Sequence, residues 1–434
     1  MLHLSYPLWL IVFSSALAGA AARGHPLELA DTRRVTIRGK SKRLRELLLN
    51  IVFLSPHFPP NFRHFVRGLR DAGATVLGLG DEPFDNMPGE LRSQFHEYYR
   101  VGNMEHYDDL LRGIGYLTHR WGKIDRLDSL NEYWLESEAK LRTDFNVFGV
   151  QTDWIDNIKR KSQMKQRFIG AGLEVARGRV CLNADEARAL IAEVGYPVVA
   201  KPDIGVGAAK TYKIHDDFEF EHYLRDKLPC EYIIEEFIGG DIVTFDGLTD
   251  KDGQILFSSS LRYSTGVMDV VNRDGDIYYY SEREIPPALE AAGRAAVNAF
   301  QVRERFFHLE FFNCGNDRIV ALEANIRPPG GLTVDMFNFA FDFDVYREWA
   351  NVLVAGQFSA PVTRKYAVGY VGRKHHLNYK LSHEQALECA GQMLCHHEGI
   401  MGVFAKAIGN YGYILRCPDE AALIATAEAM LEKR

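Results

Sequence analysis

The chain has 434 residues, so at roughly 100–200 residues per domain it holds two to four domains. Hydrophobic residues at 47% and charged residues at 25% are globular proportions, which excludes a disordered chain, a collagen and a coiled coil. The 51 basic against 58 acidic residues leave a net charge of −7, so no nucleic-acid partner is expected.

Residues 1–22 carry no Asp, Glu, Lys or Arg, and residues 7–22 run from apolar to small. A signal segment, a membrane anchor and a dispensable upstream extension all remain open, although a signal would normally carry a basic start. Arg33, Arg34, Arg38, Lys40, Lys42, Arg43 and Arg45 follow. Positive charge after an apolar segment holds the next stretch in the cytoplasm. The expected location is therefore cytoplasmic, or the cytoplasmic face of a membrane if the segment is an anchor. Residues 1–46 are read as this apolar, then basic, extension.

From residue 47 the pattern is α/β. Leu48 to Leu54 is a short apolar run, as in a buried parallel strand. Pro56, Pro59 and Pro60 break it, and Phe62, Phe65, Val66 and Leu69 recur at helical spacing. Strands are expected at 74–79 and 98–101, and a helix at 105–121. Alternating strand and helix predicts a parallel sheet over residues 47–150. Its first turn, residues 55–61, has no G-x-G-x-x-G, so a dinucleotide is not expected there.

Residues 156–172 read as a basic amphipathic helix, and 184–194 as another with Asn183 as its N-cap. A strand at 196–202 opens a region of hairpin signals at Asp252-Gly253, Asp274-Gly275 and Gly315-Asn316. This predicts an antiparallel α+β body over 151–360, divided into linker helices (152–195), a small lobe (196–241) and a large lobe (242–360). Residues 361–434 read as a small α/β unit. It has strands at 367–371, 403–408 and 413–415 and helices at 383–389 and 420–431. Cys181, Cys230, Cys314, Cys389, Cys395 and Cys417 form no C-x-x-C pair, and scattered thiols in a reducing compartment are expected. His375-His376, His396-His397 and the Cys389–Cys395 pair match no common zinc spacing.

The segments 306–312 and 318–325 carry the chemistry. With Gly315-Asn316 as a two-residue turn, Glu310 falls opposite Ala321, and Glu323 and Asn325 share its face. The two glutamates then become diagonal neighbours, roughly 7 Å apart at Cβ. Phe307, Leu309, Phe311, Val320, Leu322 and Ala324 take the other face. Close carboxylates repel unless a cation lies between them, and carboxylate and amide oxygens suit Mg²⁺ or Mn²⁺. Arg327 reaches the same space as an anion clamp. Lys201 ends an apolar strand before Gly205, Val206, Gly207 and Ala208, a loop whose N–H groups can approach phosphate. It is not a P-loop, because Ala209 stands where that pattern needs Gly. Glu235, Glu236, Phe237 and Ile238 form a strand end edged by acids, with Asp241 beyond.

In this order the segments resemble the ATP-grasp superfamily, of the carboxylate–amine ligase and biotin-carboxylase type, over residues 48–354. Leu309-Glu310-Phe311 with Glu323-Ala324-Asn325-Ile326-Arg327 is similar to that family's most specific pattern. The resemblance implies ATP and divalent metal, with Glu310, Glu323 and Asn325 as metal ligands. Lys161 and Lys201 become phosphate lysines, and residues 205–208 the mobile phosphate loop. Arg160 stands where relatives usually carry Asp. Residues 235–238 become the adenine hinge and Asp241 the ribose acid, where the family often has Glu. Arg327 would stabilise the acyl-phosphate or incoming carboxylate.

Residues 47–150 resemble the superfamily's pre-ATP-grasp domain, which makes Glu132 a candidate substrate contact. Arg262 is a candidate anchor for a substrate carboxylate. The implied activity is a Mg-dependent ligation of a small carboxylate to an amine through an acyl-phosphate. A bicarbonate-activating enzyme and a non-catalytic ATP-binding module stay as alternatives. A homodimer is compatible with the resemblance.

Overall fold

The computed structural model describes residues 48–205, 210–266, 270 and 274–434. The apolar and basic extension, and Val206, Gly207 and Ala208 of the expected phosphate loop, lie outside the described residues. Among those described, no helix is long and apolar enough to cross a membrane.

The first sheet is parallel, in the order β3-β2-β1-β4. It comprises β1 (Asn50–Leu54), β2 (Thr75–Gly80), β3 (Glu97–Arg100) and β4 (Arg126–Asp128). The continuous apolar run of β1 follows from cover on both faces. Ile51 and Phe53 pack with Phe65, Val66 and Leu69 of the helix Arg63–Asp71. Val52 and Leu54 pack with Leu110, Ile114 and Leu117 of the helix Tyr107–Trp121. Trp349, from the helix Val345–Ala355, meets the rings of both Phe53 and Phe65 edge-on. The first sheet thereby shares a core with the rest of the molecule.

The small sheet is β6 (Gly178–Cys181), β9 (Tyr232–Glu236), β7 (Val198–Pro202) and β8 (Tyr212–Ile214), in that order. Val198, Ala200, Ile214 and Ile234 face the helices Ala184–Val194 and Asp217–Asp226. Alternation turns Val199, Lys201, Ile233 and Glu235 to the opposite face.

The large sheet has ten strands, ordered β17-β18-β16-β13-β12-β10-β14-β15-β5, with β11 also on β10. These are β5 (Glu174–Val175), β10 (Asp241–Thr249), β11 (Ile255–Ser259), β12 (Leu261–Tyr263), β13 (Ile277–Ser281), β14 (Phe306–Asn313), β15 (Ile319–Asn325), β16 (Ala367–Arg373), β17 (Leu394–Gly399) and β18 (Tyr411–Cys417). Residues 361–434 add β16, β17 and β18 to it, with β16 paired to β13. Their own core lies against the helices His383–Ala390 and Glu420–Leu431.

Two local expectations are corrected. Residues 402–408 form a helix, Gly402–Ile408, not a strand. A short apolar run does not distinguish the two by periodicity, and here Phe404 stacks on Phe58 of the first sheet's proline loop. The expected helix over 156–172 is broken into Asp156–Lys159 and Lys161–Gly170. Arg160 between them is extended and forms a bridge with Ile204, beyond the end of β7.

Candidate active site

β14 and β15 set the centre. Glu310 lies directly opposite Glu323, and His308 opposite Asn325, so all four share one face. This corrects the expected register, in which Glu310 met Ala321. Gly315, Asn316 and Asp317 all have left-handed φ. The turn is therefore longer than two residues, closing through Cys314 N–H to Arg318 O (2.9 Å) and Arg318 N–H to Gly315 O (3.0 Å). The ladder slips by one residue between Glu310 and Phe311. That bulge at Leu322 puts Ala321 opposite Phe311 and brings the glutamates from diagonal to facing positions. Leu322 leaves the core face expected for it and lines a small cavity with Lys161, Lys165, Lys201 and Glu235.

Two cations offset the facing acids. Lys161 Nζ is 3.2 Å from Glu323 Oε1, and His308 Nε2 is 3.2 Å from Glu310 Oε1. Burial pushes the Glu323 carboxyl up, yet Lys161 and Lys201 hold it below the usual range. Burial works against a charged His308, but Asp246 and Glu310 push it up to about 9.

Lys161 opens the helix Lys161–Gly170, and its N–H donates to Asp203 O at 2.9 Å. The Asp203 carboxylate accepts from Ser162 N–H (2.7 Å) and Ser162 Oγ (3.0 Å), an anion where the helix dipole favours one. Arg160 turns to Asp203 and Glu231. Lys161 Nζ also donates to Gly205 O at 3.3 Å, joining the helix to the start of the glycine loop.

Lys201 and Glu235 are brought together on one face of the small sheet. Glu235 lies 2.8 Å from Lys201 Nζ and 2.5 Å from Lys165 Nζ. Burial raises its carboxyl, but the two ammonium groups bring it down to about 2. For Lys201, burial is outweighed by Glu235, Glu323 and Glu310, which hold it above the ordinary lysine value. Glu236 points elsewhere, accepting from Arg177 N–H at 2.7 Å and Arg177 Nε at 2.8 Å. Phe237 N–H donates to Pro197 O at 3.1 Å, and half-buried Ile238 leads on to β10.

The short turn after β4 supplies Glu132, 195 residues before Arg327. Its Oε2 accepts from Arg327 Nε at 3.0 Å and its Oε1 lies 2.7 Å from Lys159 Nζ. Arg327 also reaches Asn325 Oδ1 at 3.5 Å. Arg305 fixes the neighbourhood. Its Nε donates to Ile326 O at 2.7 Å, and its other nitrogens meet Asp128 at 2.8 Å and Glu138 at 3.0 Å. Arg142 completes a buried quartet by pairing with Glu138 at 2.8 Å.

Arg262 is not brought to the glutamates. It lies opposite Val243, which lies opposite Phe311, so it projects from the other face of the sheet. There Glu282 (3.0 Å) and Asp241 (3.2 Å) hold it. Asp241 is largely exposed at the start of β10, on the same face as Arg262. The neighbouring Tyr263 turns instead toward the Glu310 side, where Glu310, Asp246 and Arg327 act on its hydroxyl.

Sequence reasoning missed Lys159, Lys165, Asp203, Asp246 and His308. Strand alternation alone puts His308 on the Glu310 face. The other four depend on pairings between distant segments.

No family model matches the chain. It is 26% identical over 198 residues to the carbamoyl phosphate synthase large chain of Xanthomonas campestris pv. campestris, a match covering 42% of this chain and 18% of that one. It is 22% identical over 242 residues to the L-arginine-specific L-amino acid ligase of Bacillus subtilis, covering 54% and 58%. The chain therefore spans less than a fifth of the synthase and under two thirds of the ligase.

The solved L-amino acid ligase of Bacillus licheniformis superposes with a TM-score of 0.68 at 14% identity, over 88% of this chain and 96% of that one. The N5-carboxyaminoimidazole synthetase of Staphylococcus aureus complexed with ADP gives 0.65 at 15%, over 88% and 97%. The biotin carboxylase domain of the Hydrogenobacter thermophilus 2-oxoglutarate carboxylase, in complex with MgADP and bicarbonate, gives 0.62 at 14%, over 86% and 87%. The likeness to these structures over 86–88% of the chain shows that it carries the ATP-grasp fold.

Proposed function

We propose that the protein is an ATP-dependent ligase that activates a small carboxylate as an acyl-phosphate and joins it to an amine. The observation that carries this reading is the facing pair Glu310 and Glu323, ringed by Lys161, Lys201 and Arg327. Glu310, Glu323 and Asn325 present two carboxylates and an amide on one face. This donor set fits Mg²⁺ or Mn²⁺, which supplies charge neutralisation at the phosphates when bound.

The chain's own residues do the rest. Lys161 and Lys201 provide positive charge for phosphate oxygens, each in place of a carboxylate it now holds. The nucleotide lies along the face that carries Lys201 and Glu235, with residues 235–238 and Asp241 as the segment that reads base and ribose. Arg327 orients the substrate carboxylate for in-line attack on the γ-phosphate and stabilises the acyl-phosphate. Glu132, paired with Arg327 and Lys159, contacts the substrate from the first sheet. Residues 205–208 exclude water from the acyl-phosphate. Glu236 anchors the hinge through Arg177, and Arg262, held by Glu282 and Asp241 on the far face, takes no part in substrate binding.

A cytoplasmic location and a homodimer belong to the same proposal, checked by cell fractionation and by sedimentation of the purified chain. ADP release, measured over panels of amino acids with and without an amine partner, tests the activity. Release that requires both an acid and an amine supports the ligase. Release with bicarbonate alone would replace it with a bicarbonate-activating enzyme. MgATP binding without turnover on any pair would leave a binding module.

A further inference from the structure

His308 stands two residues before Glu310, on the face that also carries Glu323 and Asn325. It is buried between two carboxylates. Its Nδ1 lies 2.6 Å from Asp246 Oδ1 and its Nε2 lies 3.2 Å from Glu310 Oε1. A carboxylate only accepts, so each ring nitrogen must donate for both contacts to be favourable.

Asp246 is itself immobilised. It is fully buried on β10, directly opposite His308. Its second oxygen accepts from Thr244 Oγ1 at 2.5 Å, and Thr244 Oγ1 accepts from Leu261 N–H at 3.0 Å. A line of hydrogen bonds therefore runs from the backbone of β12 through Thr244 and Asp246 to His308, whose Nε2 makes an ion-pair contact with one oxygen of Glu310.

We propose that His308 is a positioning residue for Glu310: it fixes the rotation of that carboxylate and leaves the second oxygen for a divalent cation shared with Glu323 and Asn325. The inference rests on the metal and nucleotide reading above. Groups that orient a metal-binding side chain in this way are typically worth about 10–100-fold in metal affinity. Without the imidazole, the Glu310 side chain regains rotamer freedom and must lose it again on each binding event.

The test uses the full chain, Mn²⁺ as the probe in the presence of ADP, and free Mn²⁺ read by electron paramagnetic resonance. His308→Gln leaves the buried Asp246 charge without its partner, so Asp246→Asn/His308→Gln is measured beside it. ADP affinity without metal is measured for each variant. The expected result is Mn²⁺ affinity weakened about tenfold or more in both variants, with metal-free ADP affinity unchanged. Wild-type Mn²⁺ affinity in the folded double variant, while Glu310→Gln binds Mn²⁺ weakly, would overturn the positioning role and leave the metal reading standing. Wild-type Mn²⁺ affinity in Glu310→Gln as well would overturn both.

Discussion

Two clusters of paired acids and cations lie in this molecule, and they are built differently. In the quartet of Asp128, Glu138, Arg142 and Arg305, the acids meet guanidinium groups, and the Glu138 side chain is 0% exposed. The cleft cluster meets its acids with Lys161, Lys165, Lys201 and His308, and the Glu310 and Glu323 side chains keep 25% and 24% exposure. Guanidinium forks hold carboxylates with several directed bonds, whereas an ammonium is a compact point charge. The quartet is therefore a closed joint between the first sheet and β14. The cleft is an open set in which, under the proposed function, a phosphate takes a lysine from a glutamate and a cation replaces the lysine.

The comparison breaks most visibly at Arg305. Arg305→Met leaves Asp128 and Glu138 short of a partner in the interior, and loss of about 3–5 kcal/mol of stability is expected in urea unfolding. A change under about 1 kcal/mol would show that the joint is not closed.

The cleft side is sharpened by acid. The Glu235 carboxyl is held at about 2, below the ordinary 4.5, by Lys201 and Lys165 against the effect of burial. A group with a depressed folded value contributes stability that is complete above the unfolded value. The contribution is lost as pH falls through the window toward the folded value. Wild type should therefore lose on the order of 2–3 kcal/mol between pH about 5 and pH about 2, and Glu235→Gln should lose correspondingly less. Equal acid sensitivity in the two proteins would contradict the ion-pair geometry.

The smallest effect is expected behind the sheet. Arg262 faces away from the glutamates, so Arg262→Ala should change kcat/KM for ATP by less than about threefold, while stability falls because Glu282 loses its partner. A large rise in KM for the acid substrate, with stability kept, would return Arg262 to the substrate pocket.

The sequence carried the large features because they follow from short-range pattern. Alternation in 306–312 and 323–325 separates apolar from acidic residues within each strand, and setting both apolar faces against the core makes the shared face of Glu310, Glu323 and Asn325 legible. Their direct opposition was not, because it depends on three successive left-handed residues in the turn and a compensating bulge at Leu322. His308 was legible from the same alternation once Glu310 was chosen. The meeting of Glu132 with Arg327, and of Asp246 with His308, depends on how whole strands stack, which local pattern does not encode. The strand expected at 403–408 is a helix instead, because a short apolar run does not separate a helix from a strand.

The most direct measurement is ADP release by Glu323→Gln protein at saturating MgATP and substrates, beside the wild type. The amide keeps the shape and removes the charge that faces Glu310. The account predicts a loss of about a hundredfold or more in kcat with the fold intact. Undiminished turnover would mean that the facing glutamates do not organise the chemistry.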